Sequence, residues 1–176
     1  TNSAIKFKIQ FQLRKMNFTG YSRFLIVFVA LVGALVLPSK AQDSPQDYLR
    51  VHNQARGAVG VGPMQWDERV AAYARSYAEQ LRGNCRLIHS GGPYGENLAW
   101  GSGDLSGVSA VNMWVSEKAN YNYAANTCNG VCGHYTQVVW RKSVRLGCAK
   151  VRCNNGGTII SCNYDPRGNY VNEKPY

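Results

Sequence analysis

Six cysteines constrain this chain more than any other feature: Cys85, Cys128, Cys132, Cys148, Cys153 and Cys162. All of them lie behind an apolar leader. Residues 24–37, FLIVFVALVGALVL, form an unbroken run of 14 apolar residues. A bilayer span needs about 20. Arg23 precedes the run, and PSKA follows it with small residues at Ser39 and Ala41. This pattern reads as a secretory signal over 16–41, cut after Ala41, rather than a transmembrane anchor. Met16 is then the natural start, and residues 1–15 read as translated untranslated sequence with no part in the fold. An even number of cysteines behind a secretory leader predicts three disulfides. The Cys128-x3-Cys132 spacing would also suit a zinc–thiolate site, but an oxidising route argues against free thiolates. Counting alone leaves the pairing open.

The leader also changes the charge. The formal net charge is +10. Six of the 20 Lys/Arg residues precede residue 42, and all 10 Asp/Glu residues follow it, so 42–176 carries 14 − 10 = +4. No Lys/Arg cluster remains that would mark a nucleic-acid partner. The mild positive charge favours anionic cell surfaces and says nothing about fold.

Residues 42–176 read as one domain whose hydrophobic period changes along the chain. A first helix follows Ser44 as N-cap, with Pro45 at its first position and Tyr48, Val51 and Ala55 on one face. His52 and Arg56 lie one turn apart on it, which predicts an exposed or capping His52. A second helix carries Val70, Tyr73, Ala74, Tyr77 and Leu81 at three- and four-residue steps and ends at Gly83. A third has Val108, Val111, Trp114 and Val115 as its stripe. Between the second and third lies a long glycine-rich loop, HSGGPYGENLAWGSG, with a short helix expected at 96–100. Loops of this length are often functional. The last third reads as strands: HYTQVVW, GCAKVRC and TIISCNY, with a hairpin turn at Asn154-Asn155-Gly156-Gly157. HYTQVVW, 134–140, has apolar groups on both strand faces, which predicts cover on both faces. The expected class is α+β, with a sheet between helical layers.

The candidates for chemistry are the three histidines and nearby carboxylates. His89 and Glu96 sit seven residues apart in the glycine-rich loop. Glu117 ends the third helix, and His134 opens the expected strand 17 residues later. Imidazole and carboxylate are zinc ligands, and a Glu–His pair can exchange protons near neutral pH. No H-E-x-x-H or G-x-S-x-G motif is present. Spacing alone leaves a structural, a metal-binding and a catalytic role open for His134.

Two segments, GHYTQVVWRKS and IISCNYDPRGNY, resemble position for position the diagnostic motifs of the CAP superfamily of cysteine-rich secretory proteins, insect venom antigens and plant pathogenesis-related proteins. YLRVHNQAR, IHSGGPYGENLAWG and the NEKPY ending resemble the plant class 1 pathogenesis-related proteins. The similarity covers 42–176. It implies a three-layer α–β–α sandwich and the pairing Cys85–Cys153, Cys128–Cys132 and Cys148–Cys162. It implies a cleft tetrad of His89, Glu96, Glu117 and His134. The spacing from His89 to Glu96 is slightly longer than in many relatives, which could shift Glu96 in the cleft. His89 and His134 would bind zinc or another divalent cation weakly, since two ligands are few for tight zinc. No cofactor is required.

The resemblance further implies a secreted, monomeric plant defence protein acting on fungi and oomycetes by sequestering membrane sterols. It maps sterol binding to ANYNYAANTCNGVC, where Tyr121 and Tyr123 offer flat amphipathic rings. The extracellular space is the expected location, ahead of the vacuole. Two alternatives accompany this. One is a metal-assisted hydrolase built on the tetrad. The other is a precursor cut between Asp165 and Pro166, which would release residues 166–176 as an immune signal peptide for a receptor.

Overall fold

The computed structural model describes residues 43–176, so the readings made for 1–15 and 16–41 lie outside the described residues. The unit Ala41–Tyr176 is compact by itself. Helix α1 (Pro45–Gly57) starts at a full capping box: the Ser44 hydroxyl accepts from the Asp47 amide, and the Asp47 carboxylate accepts from the Ser44 amide. A two-residue strand β1 (Gln65–Trp66) follows, and then helix α2 (Glu68–Gln80), capped by the Asp67 side chain. A single 3-10 turn (Leu81–Gly83) ends it. Strand β2 (Gly95–Gly101) leads to α3 (Gly107–Ser116), capped by Ser106 and extended by a 3-10 turn (Glu117–Asn120). A small hairpin, β3 (Tyr121–Asn122) and β4 (Thr127–Cys128), precedes α4 (Gly133–Val138). The long hairpin β5 (Arg145–Arg152) and β6 (Thr158–Asp165) completes the elements.

The main sheet runs β1-β5-β6-β2, parallel at β1–β5 and antiparallel elsewhere. Helix α2 covers one face; α1, α3 and α4 pack on the other. This is the three-layer α–β–α sandwich expected. Alternation along the strands divides the core. Ile160, Cys162 and Tyr164 of β6 join Tyr48, Val111, Trp114, Tyr135 and Val138 in the larger cluster. Ile159 joins Ala78, Leu81, Leu98 and Val151 in a smaller one near the α2 end. At Gly147 an added Cβ would lie 2.0 Å from the Ala71 amide nitrogen, so α2 rests on β5 by direct backbone approach.

Two expectations fail here. Residues 134–140 are not a strand: 133–138 form α4. Tyr135, Val138 and Val139 fall at i, i+3 and i+4 and are fully buried, so two-sided apolarity over a short run is also what a buried helix produces. Residues 96–100 are not a helix but part of β2, paired with β6 from Gly95↔Tyr164 to Gly101↔Thr158. The β6 ladder needs a partner on that side, and this tertiary demand outweighs the helix propensity of Glu, Leu and Ala. The strands covered on both faces are β5 and β6 instead.

The three disulfides pair as the resemblance implied: Cys85–Cys153, Cys128–Cys132 and Cys148–Cys162. The Asn154–Gly157 turn joins β5 to β6, with Gly156 at φ 83°.

Candidate functional site

Glu117 lies where α3 tightens into its 3-10 turn, and its carboxylate faces the first turn of α4. One oxygen accepts the His134 and Tyr135 amides, at 3.0 and 3.3 Å. The other meets His134 Nδ1 at 2.6 Å. A carboxylate at a helix N-terminus satisfies amides that have no partner inside the helix. One side chain therefore fixes both the helix and the imidazole. His89, in the loop before β2, repeats the arrangement with Glu96: Nδ1 to Oε1 is 2.8 Å, and the same oxygen accepts the Ser90 amide at 2.9 Å. The Glu96 carboxylate is almost covered, at 6% side-chain exposure, while His89 is 63% exposed. The longer loop has not moved Glu96 out of reach of His89.

The tetrad thus forms two pairs, His89–Glu96 and His134–Glu117. In a neutral imidazole each Nδ1–H donates to its carboxylate, which leaves Nε2 as the acceptor. Histidines that bind metals are commonly oriented this way. Asn97, beside Glu96 on edge strand β2, links the two halves by donating to the His134 carbonyl at 3.0 Å. A cleft of about 210 Å³ opens beside the first pair, lined by His89, Glu96, Tyr94, Gln137 and Arg167 among others. His134 and Glu117 do not line it. Among the described residues no three His, Cys, Asp or Glu side chains converge as a metal cage. The donor set suits a weakly held divalent cation at an imidazole Nε2 and falls short of the three or four ligands of tight zinc.

His52 was expected to be exposed or to cap a helix end. It is completely buried, because it shares a helix face with Tyr48 one turn before it. Its Nδ1 meets the Tyr48 carbonyl at 2.8 Å, so Nδ1 carries the proton. Nε2 then accepts from the Tyr164 hydroxyl at 3.0 Å, and that oxygen accepts from Asn97 at 3.1 Å. Burial pushes the His52 pKa down to about 4. The chain His52–Tyr164–Asn97 runs through the core to the backbone of His134. Sequence reading missed it, although the Tyr48–His52–Arg56 spacing was the available signal. Arg56 is buried as well, and burial lowers its pKa to about 10. It donates to the carbonyls of Gly62, Val138, Trp140 and Arg141, the last three running from the final residue of α4 into the turn that follows it.

The tyrosine loop is the β3–β4 hairpin. Tyr121 is half-buried and donates to Asn126. Tyr123 is 42% exposed and stacks on Tyr176, with ring centroids 4.6 Å apart and planes 6° apart. Between this hairpin and the C-terminal segment lies a second cleft of about 270 Å³, lined by Tyr121, Trp140, Tyr170 and Pro175 among others. At the other end of that segment the Asp165 carboxylate pairs with Arg145 at 2.7 Å, and Pro166 is exposed.

An α–β–α sandwich with three disulfides and two oriented His–Glu pairs narrows the class of domain. Comparison places it. Residues 49–164 match the CAP model, described as the cysteine-rich secretory protein family, and the chain belongs to that family. It is 78% identical over 161 residues to Pathogenesis-related protein 1 of Arabidopsis thaliana, covering 92% of this chain and 100% of that protein. It is 61% identical over 160 residues to a PR-1 type pathogenesis-related protein of Sambucus nigra, covering 89% of this chain and 95% of that one. Among solved structures it resembles NaASP2 determined with Zn2+, at TM-score 0.63 and 26% identity over 79% of this chain and 88% of the other. It also resembles venom allergen-like protein 4 of Schistosoma mansoni, at TM-score 0.61 and 26% identity over 75% and 92%.

Proposed function

We propose that this chain is an extracellular plant defence protein that binds sterols of pathogen membranes at the tyrosine hairpin and acts without catalysis. Similarity to pathogenesis-related proteins from several plants supports the defence role. Three disulfides suit an oxidising compartment. No helix among the described residues is long and apolar enough to cross a membrane. The observation that carries the sterol reading is the aromatic cleft between the hairpin and the C-terminal segment. Tyr121, Trp140 and Tyr170 offer flat faces to a rigid apolar ligand, and the same lining carries Asn126, Thr136, Asn169, Asn172 and Glu173 as partners for its hydroxyl. At about 270 Å³ the cleft is smaller than the roughly 300–1,000 Å³ of such sites, so a sterol would lie partly across the exposed Tyr170 and Val171. Titration of 42–176 with a labelled sterol, with and without chelator, tests this. Saturable binding that Tyr121→Ala plus Tyr123→Ala weakens supports the reading; no saturation removes it. Chelator sensitivity would give a metal at the histidines a part in binding.

The precursor reading has its own support. Pro166 and Arg167 are exposed, just beyond the end of β6, so the Pro166 side of the bond is open to approach, while the Asp165 side is the last residue of the strand. Absence of the 166–176 peptide, free or held on the cut protein, from denatured extracellular fluid of challenged tissue would remove it. The hydrolase reading rests on the two oriented imidazoles; Ser90 follows His89 in the cleft lining, but among the described residues no hydroxyl or thiol is hydrogen-bonded to either ring. A hydrolysis lost on chelation and on His134→Ala would revive it.

A further inference from the structure

The last residues of a chain fray unless they are tied down. Residues 166–176 are held along their length by side chains and backbone from other elements. The Ser143 hydroxyl donates to the Pro166 carbonyl at 2.7 Å. The Gly168 amide donates to Gln137 at 3.2 Å, and a Cβ at 168 would lie 2.5 Å from Trp140 Cγ. Only glycine lets the segment lie this close to the indole. The Asn169 amide group bridges α4, accepting from Thr136 and donating to the Gly133 carbonyl, each at 2.7 Å. Glu173 pairs with Lys142 at 2.9 Å. Pro175 is buried, and its carbonyl accepts from the Arg141 amide at 2.7 Å. Tyr176 stacks on Tyr123, and its hydroxyl lies 3.3 Å from that of Tyr135.

None of these contacts needs the covalent bond at Asp165. That residue is held to the body separately, by the Val144 amide on its carbonyl at 3.0 Å and by Arg145 on its carboxylate. Hydrolysis of the Asp165–Pro166 amide by an endopeptidase consumes one water. It leaves a carboxylate on Asp165, beside Arg145, and a protonated secondary amine on Pro166. No contact described above is lost.

We propose that the groove formed by α4 and the β3–β4 hairpin is a peptide-binding site for a chain ending in Pro-Tyr, and that it retains 166–176 after the Asp165–Pro166 bond is cut. Scission and release are then separate steps. The biological meaning rests on the precursor reading; the binding does not. Cutting removes the high effective concentration that the covalent link supplies, so the contacts alone set the residence time. Tyr176 is the anchor, as an aromatic pair in a polar surround.

The test uses the whole chain with a seven-residue protease site inserted between Asp165 and Pro166, at the exposed turn. The folded protein is cut, and completeness is checked under denaturing conditions. Gel filtration at micromolar concentration then separates bound from free peptide, and synthetic fluorescent 166–176 measures exchange. The expected result is peptide eluting with the body, with Tyr176→Ala raising the dissociation rate about tenfold, the equivalent of about 1.4 kcal/mol. Peptide eluting alone from the native cut protein overturns the inference, as does exchange unaffected by Tyr176→Ala. Either result leaves the precursor reading standing. Absence of the peptide, free or held on the cut protein, from denatured extracts of challenged tissue would remove that reading and leave retention as measured.

Discussion

His52 shows how much one residue can decide. It is neutral, buried and bonded at both nitrogens, and its pKa falls to about 4 from 6.5. The unfolded chain takes up a proton near pH 6.5, and the folded one resists until about pH 4. The stabilisation is therefore complete above pH 6.5 and lost progressively as pH falls through that window, by about 3 kcal/mol. Denaturant titrations at pH 7 and pH 4 should show this loss, and His52→Gln should flatten the slope between them. An unchanged slope in the variant would assign the acid sensitivity elsewhere. The four tetrad residues were legible because they fall in motifs that resemble a known family. Their pairing was not, since seven- and 17-residue separations do not say which carboxylate each ring meets. His52 was illegible for a different reason: a polar side chain on a helix is assigned to water unless its partners are known. Its partner Tyr164 lies 112 residues away.

At the scale of elements, α4 is the part the sequence describes least directly. Six residues make a marginal helix alone. Glu117 holds its first turn and Arg56 its last, both from outside the element. Arg56→Met should remove this donor from the Gly62, Val138 and Arg141 carbonyls, Trp140 keeping the Ser143 amide, and cost about 1–3 kcal/mol, read as a fall in unfolding free energy. Glu117→Ala should cost about 1 kcal/mol as a lost cap and release the His134 ring. Nitrogen NMR should then show mixed imidazole tautomers where the parent shows Nδ1–H. A single tautomer in the variant would mean that Glu117 does not orient the ring. Local pattern misread both α4 and β2, because the deciding partners of each are non-local. By contrast α1, α2, α3 and the β5–β6 hairpin follow from caps, periodicity and the Asn-Asn-Gly-Gly turn, all local signals.

Over the whole molecule, layers and disulfides make a frame on which two exposed regions are built, the His–Glu pairs and the tyrosine hairpin. The Cys85–Cys153 bridge spans 68 residues and ties the α2 end to β5. Replacing both cysteines with alanine should cost about 4 kcal/mol in the loop-entropy model, seen as a lower denaturation midpoint. A loss below about 1 kcal/mol would mean that the smaller core cluster holds that end unaided. The sandwich was foreseen partly on a mistaken premise, that 134–140 was a doubly covered strand. The conclusion survives because β5 and β6 are the strands that meet that description. The most direct measurement of the central claim is an amide shift map of isotope-labelled 42–176 titrated with a sterol. The account predicts saturable shifts centred on Tyr121, Tyr123 and Cys128, reaching Tyr170 and Tyr176. Shifts confined to the His89–Glu96 cleft, or no saturable shifts, would contradict it.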